Sequence, residues 1–387
     1  MRALWGRGPR ARKGARWGDP ATLGTGRVVR FDGMADRSLR IGVLYDEWHV
    51  DRDAAAAEEA AEASNGATPK RKRRREKSDR EEIREALAKR GHEVTLYCLD
   101  GRARTLKALA GLEVDLVFNL TESYAGDDTK DVHLAAYLDL LGLPYTGSGP
   151  AGLHLAQDKA VAKRLFAFHG IRTPHFATVY QGRLQWADDV QFPVIVKPKR
   201  EDGSIGIEFN AVVGSIKELM ERIDALHADL DSPVLIEEYI EGREIYAAVL
   251  GNDPMTALPL VELDLAGIPA GLPRIAGTEV KWERGTEAYR KTKLHAPANL
   301  PEETTTAIQE AAVLACRALE VRDYARVDVR LTPKGEVYVL EVNPNPWLHT
   351  TAEFALATRE SGRDHGALIQ EIVDLALDRY RGRVLQP

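Results

Sequence analysis

One short apolar run, Leu39–Tyr45 (LRIGVLY), and the alternating helix and strand patterns downstream of it limit the possible folds of this chain most sharply. A run that short and unbroken fits a strand buried on both faces. Residues 79–90 (DREEIREALAKR) carry a helical pattern that stops at Gly91, and the strand His92–Leu99 comes next. Val114–Leu120 is a further strand, and 130–141 a helix ahead of Pro144. Strand–helix–strand alternation of this kind implies a parallel sheet covered by helices.

The chain then changes character, so its overall class is α/β shading into mixed α+β. Phe192–Lys197 (FPVIVK) is a strand that opens into a loop, 200–206 (REDGSIG). A helix at 215–228 precedes strands at 234–240 and 244–250. A long helix spans 302–320, and strands at 324–331 and 336–343 close the pattern. The last helix, roughly 366–380, sets Leu368, Ile372 and Leu375 on one face. There are no internal repeats.

Charge and cysteine content remove several function classes. The 387 residues hold 53 Lys+Arg against 59 Asp+Glu, and that net charge of −6 argues against nucleic acid as the main partner. The charge is uneven: residues 1–33 carry eight basic and two acidic side chains, leaving −12 on the remainder. This Gly- and Arg-rich opening has no apolar core segment and is not a secretory signal. It is expected to be a disordered tail (1–37), with Met34 as the native start. A second biased stretch, 51–78, runs from Ala/Glu-rich sequence into six consecutive basic residues, Lys70–Arg75. It fits a solvated insert that sits where loops of an open sheet face a ligand crevice. Cys98 and Cys316 stand 218 positions apart with no CxxC near either, which excludes a disulfide scaffold or structural zinc and suits a reducing cytoplasm. No apolar run approaches the roughly 18 residues of a membrane span.

The chemistry gathers on the two late strands. In ARVDVRL, Ala325, Val327, Val329 and Leu331 alternate with Arg326, Asp328 and Arg330; in EVYVLEVN, Val337, Val339, Glu341 and Asn343 are expected to share a face. Thr332-Pro333-Lys334-Gly335 is the turn, with Pro at i+1 and Gly at i+3. Such a turn sets Leu331 opposite Glu336 and Arg326 opposite Glu341, with Asp328 diagonal to Glu341. Arg326, Asp328, Glu341 and Asn343 then point to one side; a loop one residue shorter would reverse that. The set is either a solvent-facing strand pair or an oxygen-ligand edge suited to Mg²⁺ or Mn²⁺ with nucleotide phosphates completing the shell. Lys197 ends an apolar strand, where an ammonium needs an anionic partner. It precedes Gly203-Ser204-Ile205-Gly206, whose N–H groups suit phosphate oxygens. Lys159 opens a helix after Asp158, and Lys281 follows the strand-like Thr278–Val280. The chain has no GxxxxGK[ST] and no strand-borne GxGxxG, so neither a Walker NTPase nor a nicotinamide enzyme is indicated.

In this order, DK (158–159), VIVKP…GSIG (194–206), IEEYIEGRE (236–244), EVKW (279–282), ARVDVRL and LEVNPNP, the motifs resemble an ATP-grasp ligase, and most closely the D-alanine–D-alanine ligases. LGLPYTGSGP (141–150) fits the junction of their first two domains, and the match covers about residues 39–381. The resemblance implies a substrate domain at 38–148, a central ATP-grasp lid subdomain at 149–240 and a C-terminal metal and catalytic subdomain at 241–387. It implies ATP phosphates on Lys159 and Lys197, under a loop carrying Gly203, Ser204 and Gly206. It places adenine against Glu237, Glu238, Tyr239 and Ile240 with Leu340, ribose on Glu244, and the γ-phosphate near Lys281. Asp328, Glu341 and Asn343 would hold two Mg²⁺ ions, and Arg326 would stabilise developing charge. The implied reaction is attack of a carboxylate on the γ-phosphate, then of an amine on the acylphosphate. Small-molecule carboxylate and amine substrates, a cytoplasmic setting and a homodimer go with it. The alternatives are a hydroxyl or thiol acceptor, or a non-catalytic ATP-binding protein.

The substrate half departs from the family. Its GG-x-S-x-E stretch is replaced by Asp46-Glu47-Trp48-His49, and its HG-x-x-GEDG loop by Asn119-Leu120-Thr121-Glu122-Ser123. The family's loop serine is Gly203 here, its tyrosine partner falls at Trp282, and Pro346-Trp347-Leu348 stands where the family has small residues. Asp46, Glu47 or Glu122 is expected to receive an amine, His49 to assist proton transfer, and Asn345 and Trp347 to border the substrate.

Overall fold

The computed structural model describes residues 38–46, 77–180, 182–187, 191–200, 206–230, 233–281, 283 and 285–381. The tail with Met34, the bulk of the insert, Glu47, Trp48, His49, Gly203, Ser204 and Trp282 lie outside these residues.

The first sheet is parallel, as the alternation requires. β1 (Arg40–Asp46) lies between β2 (Glu93–Leu99) and β3 (Leu116–Asn119), with Ile41 beside both Val94 and Leu116. Leu39, Ile41 and Val43 pack with Ile83 and Leu87 of the helix Asp79–Lys89. That helix starts at Ser78, whose backbone N–H donates to Glu81 Oε2 at 3.1 Å. On the other face Leu44 and Val117 meet Leu134 and Leu138 of the helix Asp131–Leu140. The last helix, His365–Tyr380, returns to the first sheet: Leu368, Ile369 and Ile372 join the cluster of Leu39 and Ile41. Each such side chain contributes about 1.5–3 kcal/mol on burial.

The second sheet is antiparallel, ordered β5-β4-β8-β6-β7. Its strands are β4 (Phe176–Tyr180), β5 (Arg183–Ala187), β6 (Val194–Pro198), β7 (Val212–Val213) and β8 (Val234–Glu238). The helix Ile216–Leu230 covers it with Ile223 and Leu226. The third sheet is ordered β12-β11-β9-β13-β14, and β10 also pairs with β9. Its strands are β9 (Arg243–Gly251), β10 (Met255–Ala257), β11 (Val261–Asp264), β12 (Lys293–His295), β13 (Tyr324–Leu331) and β14 (Val337–Pro344). The helix Glu302–Ala318 lays Ile308, Ala312 and Ala315 against one side of it, where Ile245, Ala247, Val327 and Val329 point. The charged residues of β13 point to the other side.

Expectations change first at Lys281 and at the hairpin turn. Lys281 ends a short helix, Thr278–Lys281, rather than following a strand. The β13–β14 register also differs by one at the turn: Leu331 faces Val337, not Glu336. The turn is where expected, with Gly335 N–H donating to the Thr332 carbonyl at 2.9 Å, but Glu336 stays in the loop.

Candidate active site

A register one residue longer would by itself turn Glu341 away from Asp328. A break in the ladder restores the parity, though not the expected pairing of Arg326 with Glu341. Asp328 pairs with Glu341 while the next residue, Val329, pairs with Val339, leaving Leu340 without an opposite number. An extra residue in one strand reverses the parity beyond it. Val337 and Val339 therefore share the apolar side with Leu331 and Val329, not with Glu341 as the simple alternation suggests. Beyond the bulge Glu341 lies opposite Asp328, and Asn343 opposite Arg326. The four polar residues do point to one side, through a turn and a bulge whose parities cancel.

Their electrostatics are mutual. Arg326 grips Asp328 with two bonds, Nε to Oδ1 at 2.7 Å and Nη2 to Oδ2 at 2.9 Å. Its guanidinium lies 4.9 Å from the centre of the Tyr246 ring, and Nη1 reaches Glu353 Oε2 at 3.5 Å. Burial pushes the Asp328 carboxyl up to about 6, with Glu341 adding to the effect and Arg326 opposing it. Burial would raise Glu341 too, but Lys159, Lys197, Lys281 and Arg326 outweigh it and hold its carboxyl down at about 2. Lys159 Nζ is 3.6 Å from Glu341 Oε2. Lys281 is near enough for its charge to act on both carboxylates.

Lys159 is aimed by its helix. Asp158 caps Lys159–Phe168, its Oδ1 accepting from Ala160 N at 3.2 Å and Val161 N at 3.1 Å, while Oδ2 holds Lys199 at 2.8 Å. One turn on, and missed by the sequence reading, is Lys163, fully buried. Its ammonium donates to Thr173 Oγ1 at 3.1 Å, Glu237 Oε1 at 3.1 Å and the Leu340 carbonyl at 3.0 Å. Burial pushes its pKa down to about 8, with Glu237 opposing and Lys197 assisting. The other Glu237 oxygen lies 2.9 Å from Lys197 Nζ. Glu237 is thus a carboxylate between two lysines, and these hold its pKa below the ordinary value although burial acts to raise it. The four-residue spacing from Lys159 puts Lys163 on the same helix face, a hint in the sequence that does not by itself say the ammonium is buried.

Beside Glu237, the Glu238 and Tyr239 N–H groups donate to the His175 and Pro193 carbonyls at 2.9 and 3.0 Å. Ile240 follows the end of β8. Gly206 takes φ +68°, where a Cβ would come within 2.9 Å of Pro198 Cγ. Glu244 is buried, with Oε2 2.7 Å from Arg330 Nη2 and Oε1 accepting from the Tyr246 hydroxyl at 2.9 Å. Arg330 also binds the Gly242 and Arg274 carbonyls. Arg330 was placed on the charged face of β13 but given no role, and Glu353 did not stand out in the sequence; the strand pairing and a later helix, Glu353–Glu360, bring them in.

Among the described residues expected at the substrate, Asp46, Asn345 and Trp347 are engaged by the fold. Asp46 is buried, and its Oδ2 accepts from the N–H groups of Glu122 and Ser123 at 2.8 and 2.6 Å. It organises the loop instead of offering a free carboxylate. Asn345 takes φ +51°, and its Oδ1 accepts from Ser148 N at 2.8 Å. A Cβ on Gly147 would stand 2.2 Å from that oxygen, so this junction needs glycine. Trp347 is stacked on His349, ring centres 4.9 Å apart and planes 12° from parallel. His349 is near Glu82, whose carboxylate accepts from Thr350 N at 2.9 Å and Thr350 Oγ1 at 3.0 Å.

Among the described residues no group of three His, Cys, Asp or Glu side chains could hold a metal ion. The candidate set is two carboxylates and an amide oxygen, hard ligands that leave coordination positions to phosphate and water. Asn343 Nδ2 is buried without a hydrogen-bond partner, so this amide is not fixed by the fold. Two carboxylates facing across one ladder position also call for a cation. The residues fit a divalent ion held together with a nucleotide.

A family model described as "D-ala D-ala ligase C-terminus" matches residues 165–374, more than half of the chain. The chain belongs to the D-alanine–D-alanine ligase family. It is a ligase of that type, an ATP-dependent enzyme forming a C–N bond. The D-alanine–D-alanine ligase of Halalkalibacterium halodurans is 34% identical over 303 residues, covering 77% of this chain and 92% of that protein. An uncharacterized protein, y4sG, of Sinorhizobium fredii is 37% identical over 267 residues, 69% of this chain and 76% of that one. The crystal structure of the Bacillus anthracis D-alanine–D-alanine ligase complexed with ATP superposes with a TM-score of 0.67 at 21% identity, over 88% of this chain and 98% of that chain. That likeness is one of fold, the ATP-grasp fold. No helix among the described residues is long and apolar enough to cross a membrane.

Proposed function

We propose that this ligase joins a small carboxylate donor to an amine through an acylphosphate, and that the β13–β14 edge is where Mg²⁺ and the ATP phosphates meet. One observation carries the reading: Asp328, Glu341 and Asn343 share a side of the hairpin, and the charges of Lys159, Lys197 and Lys281 all converge on Glu341. Asp328, Glu341 and Asn343 would hold Mg²⁺, two ions in all, with Mn²⁺ as a substitute; bound there, the metal neutralises phosphate charge. Lys159, Lys197 and Lys281 orient the phosphates. Glu237 to Ile240 and Leu340 bound the adenine, and Glu244, held by Arg330, faces the ribose.

The donor carboxylate oxygen attacks the γ-phosphorus, and the bond to the β-phosphate oxygen breaks, releasing ADP. The amine nitrogen then attacks the acyl carbon; the bond to the phosphate oxygen breaks, and the nitrogen loses a proton. This chemistry needs positioning and charge neutralisation more than a protein nucleophile. Arg326 supplies positive charge beside the metal edge, and Glu353 and Asp328 keep its guanidinium in place. The two named D-alanine–D-alanine ligases act on D-alanine. Here the replaced 46–49 and 119–123 segments and the Trp347 stack favour a donor or acceptor other than D-alanine. Division into substrate, lid and catalytic units near 148 and 240, and assembly as a homodimer, belong to the same reading. No observation among the described residues favours a hydroxyl or thiol acceptor.

Hydroxylamine tests the intermediate. With Mg·ATP and a donor carboxylate it should be acylated to a hydroxamate as ADP is released. ADP release without hydroxamate or amide would contradict an acylphosphate.

A further inference from the structure

The metal edge depends on one irregularity, the bulge at Leu340. Without it Glu341 and Asn343 would turn to the apolar side of β14. A bulged residue loses its ladder partner, and its backbone groups need others. Here the Leu340 carbonyl accepts from Lys163 Nζ at 3.0 Å, and the neighbouring Val339 carbonyl accepts from Thr173 Oγ1 at 2.8 Å. Val339 N–H donates to the Arg172 carbonyl at 2.9 Å. Lys163 and Thr173 also bond each other at 3.1 Å, so the bulge is gripped by a connected pair from outside its own sheet. The same ammonium holds Glu237 Oε1, and Glu237 Oε2 lies 2.9 Å from Lys197.

We propose that Lys163, with Thr173, is a positioning residue: one buried ammonium fixes the bulge that aims Glu341 and Asn343 at the metal and, through Glu237, fixes the lysine that meets phosphate. A general hydrophobic side chain could fill that space. Only a multiple donor can satisfy a bulge carbonyl, a hydroxyl and a carboxylate at once. This rests on the reading of Asp328, Glu341 and Asn343 as the metal–nucleotide site, and metal-site supports of this kind typically carry about 10- to 100-fold in affinity.

The test is Mn²⁺ binding in the presence of ATP, followed by electron paramagnetic resonance, alongside thermal unfolding of the same samples. Lys163→Met leaves Glu237 without one partner, and it is paired with Lys163→Met/Glu237→Gln, which removes the stranded charge. Thr173→Val removes one bond to the bulge, and Thr173→Ser retains it. The double variant should unfold cooperatively, yet bind Mn²⁺ about 10- to 100-fold more weakly than Glu237→Gln alone. Thr173→Val should weaken Mn²⁺ binding by a smaller factor, with Thr173→Ser close to native. A merely structural role would lower the unfolding midpoint and leave the Mn²⁺ affinity of the folded protein where it was. Affinity equal to that of Glu237→Gln in the folded double variant, with native-like affinity in Thr173→Val, would overturn the proposal. A native protein that binds no Mn²⁺ with ATP would instead remove the site reading beneath it, and the proposal too.

Discussion

Glu341 is the residue on which the charges of the site converge, and its replacement gives the sharpest single-residue prediction. Glu341→Ala should cut substrate-dependent ADP release by on the order of 100-fold or more while leaving the unfolding midpoint near native. Ligation at a near-normal rate would contradict the metal assignment. Glu237 gives a prediction in pH. Its folded pKa lies below the ordinary 4.5, so the unfolded chain binds the proton more readily. The stability it contributes is therefore fully present above about pH 4.5 and lost as pH falls through the lower folded value. Glu237→Gln should be less stable at neutral pH, where it deprives Lys163 and Lys197 of their anion, but should lose less on acidification. Urea midpoints from pH 3 to 7 check this, and parallel acid limbs for the two proteins would refute it. At this scale the candidates were legible and their roles were not: charged residues alternating with valine on β13, and lysines after Asp158 and within FPVIVK, read equally as surface groups or as phosphate and metal ligands. Lys163 was not even a candidate, because a lysine in a helix is usually solvated, and only the fold shows it dry.

At the scale of elements the sequence was informative about types and weaker about joins. Alternation and a Pro/Gly turn located β13 and β14 within a residue or so, whereas the bulge left no trace in composition. A strand with one extra residue has the same apolar spacing as a regular strand up to the break, so register had to come from pairing. Lys281 was misplaced for a related reason: Thr278–Lys281 is too short for periodicity to separate helix from strand. The helix Lys159–Phe168 carries its own test. Asp158→Ala removes the cap and the partner of Lys199, and should cost about 1 kcal/mol with a raised KM for ATP, measured by urea unfolding and initial rates. No change in either would mean that the helix aims Lys159 without its cap.

Over the whole molecule, the first sheet and the third sheet are tied by groups far apart in sequence. Asp323, fully buried, accepts from Gly147 N at 2.7 Å, Asn252 Nδ2 at 3.0 Å and Arg379 Nη2 at 2.7 Å. It joins the Gly147 segment, the end of β9 and the last helix at the foot of β13. Breaking such a buried pair typically costs about 3–5 kcal/mol. Asp323→Ala should lower the urea midpoint accordingly and speed amide exchange across 365–380; an unchanged exchange pattern would show that the last helix is held by its apolar face alone. That helix was visible in the sequence, but its docking on the first sheet was not, because an apolar stripe does not name its partner. Substrate choice has the same character: Asp46 and Asn345 looked like recognition groups and proved to be fixing loops. The decisive experiment is ADP release with Mg·ATP across D- and L-amino acids, singly and in pairs, with product masses recorded. The prediction is one amide formed per ADP from at least one pair. ATP bound by the native protein, with no ADP release and no amide from any pair, would contradict it.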